Sequence, residues 1–115
     1  IKEIKSNEIG VDIGPETCAI FNTIIDEAKT IFWNGPLGIF ENNAFSTGTQ
    51  SIISSIANVT KNGAISVVGG GDTASAIEQF GMTDSFTHIS TGGGASLELL
   101  SGKKLPALSA LGYYA

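Results

Sequence analysis

The chain has 115 residues, 42% hydrophobic and 15% charged, which is enough apolar content for one small core. Its six basic residues are all lysine and the formal charge is -5 at pH 7, a balance that argues against nucleic-acid binding. No apolar run approaches the ~20 residues of a membrane span.

The opening residues, IKEIKSNE, are charged and lack the apolar stretch of a signal peptide. The lone Cys18 has no internal partner for a disulfide, in keeping with a reducing, cytoplasmic setting. Lys2, Lys5, Lys29, Lys61, Lys103 and Lys104 all lie outside the glycine-rich motifs. A phosphate site here must therefore use backbone N–H groups, a metal ion, or groups from other sequence. The chain opens on Ile1, and its only methionine is the internal Met82. Both suit a fragment.

In chain order, Pro15 opens a first helix, with Ala19, Ile20, Ile24, Ile25 and Ala28 at helical spacing. Residues 30–33, TIFW, read as a buried strand stopped by Asn34-Gly35-Pro36. A second helix covers 43–60, with Ile52, Ile53, Ile56 and Val59 on one face. After the Asn62-Gly63 turn, AISVV at 64–68 is a strand, followed at once by Gly69-Gly70-Gly71 and a helix from Asp72 to Phe80. FTHIS at 86–90 is the next strand. Thr91-Gly92-Gly93-Gly94 and a helix from Ala95 to Leu100 come after it. Leu105-Pro106-Ala107-Leu108 starts a short terminal turn or helix, and Gly10-Val11-Asp12-Ile13 is a candidate fourth strand.

Strand–helix alternation of this kind predicts an α/β fold: a Rossmann-like, three-layer parallel sheet with helices on both faces. Three or four strands leave an apolar edge and poorly covered faces. The chain reads as roughly the second half of such a domain.

The two turns with the order strand, three glycines, helix carry the chemistry. In an open α/β sheet these turns lie at the C-terminal strand ends, where ligands bind. Glycine lets backbone approach an anion, and the first free N–H groups of the next helix point at it. Tight turns and close packing would also use glycine, but two such turns favour a polyphosphate grip. Asp72 admits two compatible readings, a helix N-cap and a carboxylate for Mg²⁺ beside phosphate. Glu41, after the Gly/Pro-rich loop, is either a solvated loop residue or an acceptor for ribose hydroxyls. Trp33 and Phe40 read as core, His88 as a histidine packed in or beside the sheet, and Cys18 as inert core. Gly69-Gly70-Gly71-Asp72-Thr73-Ala74 also fits a loose dinucleotide fingerprint, G-x-G-x-x-A. That motif wants an acid about 20 residues on, where Ser90, Thr91 and Gly92 stand instead, so a nicotinamide cofactor is not expected.

Four ordered blocks resemble phosphoglycerate kinase: Val11-Asp12-Ile13-Gly14-Pro15-Glu16-Thr17, Trp33 to Glu41, Gly69 to Ala74, and Ser90 to Leu100. The resemblance runs from about Asp12 to Leu108. It implies the nucleotide-binding part of an enzyme that transfers a phosphoryl group between 1,3-bisphosphoglycerate and ADP, with Mg²⁺. It implies that Glu41 holds the ribose and that Asn34, Pro36 and Gly38 line the nucleotide pocket. It assigns Gly70, Gly71, Asp72 and Thr73 to the nucleotide phosphates, with Asp72 as the metal carboxylate. It implies that Gly92, Gly93 and Gly94 present N–H groups to the phosphoryl in flight, as the catalytic set. Ser90 and Thr91 resemble a segment linked to the interdomain hinge.

The N-terminal domain that binds phosphoglycerate, with its arginines and histidines, and the early strands of the nucleotide domain are not in this sequence. The expectation is a fragment, inactive alone, of an enzyme that is monomeric when intact. A non-catalytic nucleotide-binding α/β module is the alternative. Gly112-Tyr113-Tyr114-Ala115 is not a pattern of the family.

Overall fold

Pro15 occupies the first turn of helix α1 (Pro15–Glu27), where its missing N–H costs nothing, and Glu16 places negative charge at the positive end of the helix dipole. The computed structural model describes residues 3–114. Strand β1 (Thr30–Asn34), helix α2 (Thr47–Lys61) and strand β2 (Ile65–Gly69) follow α1. Helix α3 (Gly71–Gln79), strand β3 (His88–Ser90), helix α4 (Gly93–Leu100) and helix α5 (Pro106–Ala110) complete the order. Single 3₁₀ turns at Asn43–Phe45 and Thr83–Ser85 lead into α2 and towards β3.

The three strands form one open parallel sheet in the order β1-β2-β3, the α/β architecture expected from the alternation. In register, Asn34 lies opposite Gly69, and Gly69 opposite Ser90. All three strands therefore end at one edge, with both glycine turns there. The core is built by Ile52, Ile53 and Ile56 of α2 against Trp33, Val68, Ile77 and Phe86. Phe40 is buried as well.

Four expectations need correction. Gly10 to Ile13 is not a strand. Val11 O accepts one hydrogen bond, from Ile39 N at 2.9 Å, and Asp12 turns its carboxylate to the start of α2, so the segment crosses the loop rather than extending the sheet. His88 lies in β3 with its side chain exposed, not packed. No residue of α1 is fully buried: Ile20 and Ile24 remain 60% and 63% exposed, and Cys18 is half-buried. Strand β3 starts at His88 rather than Phe86 because side chains take over the ladder. Ser66 N donates to Thr87 Oγ1 at 3.0 Å and Thr87 N to Ser66 Oγ at 3.1 Å.

Strand β1 is a sheet edge, and apolar grooves run beside it. One, of about 270 Å³, is lined by Phe21, Ile24, Ile25, Leu37 and Trp33 among others. Another, of about 300 Å³, is lined by Phe32, Val67, Leu99 and Leu100.

Candidate functional site: two glycine turns at the sheet edge

Helices α3 and α4 both begin inside their glycine runs, at Gly71 and Gly93, not at Asp72 and Ala95. Helix α3 takes this start because Gly70 has φ 99°, a left-handed conformation that a residue with a Cβ adopts only with strain. The backbone thus turns sharply out of β2 and directly into α3. The first three helical N–H groups have no acceptor within their helix. These belong to Gly71, Asp72 and Thr73 in α3, and to Gly93, Gly94 and Ala95 in α4. Both sets sit at the positive ends of helix dipoles, which favours an anion.

Not every glycine amide is free. Gly70 N donates to Ser90 O at 2.9 Å, and Gly92 N to Ser90 Oγ at 3.1 Å. Ser90 therefore links the two turns and spends those two donors. The donors left for a ligand start one residue later in each turn.

The turns touch each other. A Cβ added to Gly93 would lie 2.8 Å from both Cα and N of Gly70, closer than real Cβ atoms come. Asn34, at the end of β1, reaches into the same junction. Its Oδ1 would stand 3.0 Å from a Cβ on Gly69 and 3.2 Å from one on Gly70. Here glycine is required for close approach, and Asn34 presents its amide where the three strand ends converge. Gly71 and Gly94 differ: a Cβ on either meets nothing within 4 Å. Gly92 and Gly94 are exposed while Gly93 is buried.

Asp72 is exposed in the first turn of α3. Among the described residues no group of three or more histidine, cysteine or acidic side chains forms a metal cluster. One exposed carboxylate beside unpaired helix N–H groups has the chemistry that suits Mg²⁺, which is commonly held by one or two carboxylates together with phosphates and water. Thr73 is only 1% exposed, and its Oγ1 accepts Gly35 N at 2.7 Å. Its hydroxyl binds the neighbouring loop, which leaves its backbone N–H, in the first turn of α3, as the donor without a partner.

That loop, after β1, is anchored along its length. Trp33 Nε1 donates to Gly35 O at 2.7 Å, and Leu37 N to the buried hydroxyl of Thr49 at 3.1 Å. Ile39 N donates to Val11 O at 2.9 Å, and Gln79 Nε2 to Phe40 O at 3.2 Å. Pro36 and Gly38 are half-buried within it. Glu41 follows the buried Phe40 and is exposed. The Gln79 contact holds this end of the loop beside the C-terminal end of α3, so Glu41 stands apart from Asp72 along that helix.

Sequence reasoning missed Thr49 and the use made of Asp12. Thr49 reads as one of several hydroxyls in a Thr/Ser-rich helix, with nothing to mark it as the acceptor for Leu37. Asp12 is the acid of the Val11 to Thr17 block, a visible signal with no visible partner.

Comparison with known proteins identifies the family of the chain. The family model described as phosphoglycerate kinase matches residues 1–103. The phosphoglycerate kinase of Chloroherpeton thalassium is 52% identical over 111 residues, covering 96% of this chain and 28% of its own length. That of Dictyoglomus turgidum is 54% identical over 111 residues, with the same two coverages of 96% and 28%. The solved structure of phosphoglycerate kinase from Coxiella burnetii superposes with a TM-score of 0.82 at 48% identity, over 91% of this chain and 26% of that one. The enzyme from Pyrococcus horikoshii gives a TM-score of 0.80 at 41% identity, over 91% and 25%. The chain thus spans little more than a quarter of the curated relatives it matches. With the motif order, the sheet-edge geometry and the family model in agreement over most of its length, the chain belongs to the phosphoglycerate kinase family.

Proposed function

We propose that this chain supplies the phosphate-binding part of the nucleotide domain in a glycolytic, cytoplasmic kinase. That kinase moves a phosphoryl group between 1,3-bisphosphoglycerate and ADP, giving 3-phosphoglycerate and ATP. The contact between the Gly70 and Gly93 turns supports the reading, because it brings the starts of α3 and α4, with their unpaired N–H groups, side by side. The amides of Gly71, Asp72 and Thr73 receive the nucleotide phosphates. Those of Gly93 and Gly94, after the N-cap residue Gly92, receive the phosphoryl group in transit. Asn34, Pro36 and Gly38 line the nucleotide pocket, and the Glu41 carboxylate accepts the ribose hydroxyls.

Phosphoryl transfer asks mainly for alignment and for neutralisation of charge spread over the moving oxygens. Fixed backbone dipoles do both without reorganising during the reaction. Asp72 is the carboxylate that would hold Mg²⁺, which when bound neutralises phosphate charge. With no arginine and no lysine in either glycine turn, this chain offers little for phosphoglycerate. That substrate is bound by other parts of a full-length enzyme, and the 115 residues alone are inactive.

The test is a chimera in which this chain replaces the matching stretch of the Chloroherpeton thalassium relative. A coupled assay should give turnover within about tenfold of the parent enzyme, and none for the isolated chain. A folded chimera that binds Mg-ADP but transfers nothing would instead mark a non-catalytic nucleotide-binding module.

A further inference from the structure

We infer that Asp12 is a positioning residue for the nucleotide-binding loop, acting by capping helix α2 from outside that helix; the inference rests on the function proposed above. Ser46, the residue at the N-cap of α2, makes no side-chain capping hydrogen bond. Asp12 makes one instead, from 36 residues away: its Oδ2 accepts Gly48 N at 2.8 Å. Its Oδ1 accepts the adjacent Ile13 N at 2.8 Å. A carboxylate at a helix start gains both a charge-assisted hydrogen bond and the favourable end of the dipole.

The same carboxylate forms one wall of the loop. A Cβ on Gly38 would lie 2.5 Å from Asp12 Oδ1 and 2.7 Å from Phe45 O, so the loop backbone rests directly on Asp12. Gly48 is hemmed in by the same side chain and by Ile13. Beside this seat, Ile39 N is tied to Val11 O, and Leu37 N to Thr49 of the capped helix. Asp12 thus fixes the start of α2, that start holds Leu37 through Thr49, and the carboxylate itself supports Gly38. The loop so placed carries Pro36, Gly38 and Glu41. The groups proposed to meet the phosphoryl in flight, Gly93 and Gly94, lie on α4, which has no part in these contacts. Loss of Asp12 should therefore weaken nucleotide binding and spare the transfer step.

The test uses Asp12→Ala and Asp12→Asn in the active chimera, with KM for ADP, KM for 1,3-bisphosphoglycerate and kcat measured for each. Asp12→Ala should raise KM for ADP about tenfold, with kcat and the other KM within twofold. Asp12→Asn keeps the shape and one acceptor oxygen, and should raise KM for ADP less than threefold. Unchanged KM for ADP in Asp12→Ala, or a parallel fall in kcat with both substrates affected, overturns the inference. If Asp12→Ala does not fold, Asp12→Asn decides by its own KM for ADP, which must rise above the parent's. If neither folds, Asp12 is a stability residue only and the inference fails. The activity of the unmutated chimera judges the proposed function separately.

Discussion

Thr73 Oγ1 accepts the N–H of Gly35 at 2.7 Å, joining the first turn of α3 to the loop that leaves β1. The two residues are 38 positions apart, Thr73 is 1% exposed and Gly35 half-buried, so water has little access to the Thr73 side of the bond. Thr73→Val keeps the shape and leaves Gly35 N unsatisfied. A half-buried donor stranded in this way costs at most about 1–3 kcal/mol. Urea unfolding of the chimera should show a loss in that range for Thr73→Val and a smaller one for Thr73→Ser.

Gly93 and Gly94 are neighbours in sequence with opposite tolerance. A methyl at Gly93 collides with the backbone of Gly70, whereas one at Gly94 enters open space. Gly93→Ala should force the turns apart, lowering kcat by more than about tenfold and costing about 1–3 kcal/mol of stability. Gly94→Ala retains its N–H and should change stability by less than about 0.5 kcal/mol. Thermal melts and steady-state rates of the two variants check both expectations.

Asp72 is exposed, so its role can be separated from folding. Asp72→Asn removes a charge from the first turn of α3, a loss of about 0.3–1 kcal/mol at most. Turnover should fall much further, by at least about tenfold, with a raised requirement for Mg²⁺, because the carboxylate is the proposed metal ligand. Rates titrated against Mg²⁺ measure both.

The uncovered apolar side of α1 has a consequence for the chain by itself. Ile20 and Ile24 are more than half exposed, and β1 lies at the sheet edge beside apolar grooves. Exposed apolar surface and an unpaired strand edge promote association. The isolated chain should bind an apolar dye such as ANS, and the double variant Ile20→Lys, Ile24→Lys should reduce that signal several-fold.

The position of the two glycine turns in the candidate site was legible because glycine and strand patterns act locally. A run such as AISVV followed by Gly69-Gly70-Gly71 places its turn at a strand end whatever surrounds it. Trp33 and Phe40 are core, as their size suggests. What escaped the sequence depends on contacts between distant residues. The apolar spacing of α1 announces a buried face, yet burial needs a partner surface, and α2 covers only part of it. The free N–H groups begin at Gly71 and Gly93 because Ser90, twenty residues after Gly70, takes the amides of Gly70 and Gly92. Asp12 looked like a strand residue because its partner, Gly48, carries no side chain to hint at the pairing.

The most direct test of the account is a crystal structure of the chimera with Mg-ADP and aluminium fluoride, which mimics the phosphoryl group in transit. The account predicts the ADP phosphates on the amides of Gly71 to Thr73 and the fluoride on those of Gly93 and Gly94, with Asp72 on the metal. Phosphates bound away from these amides, or a fluoride that contacts only one of the two turns, would contradict it.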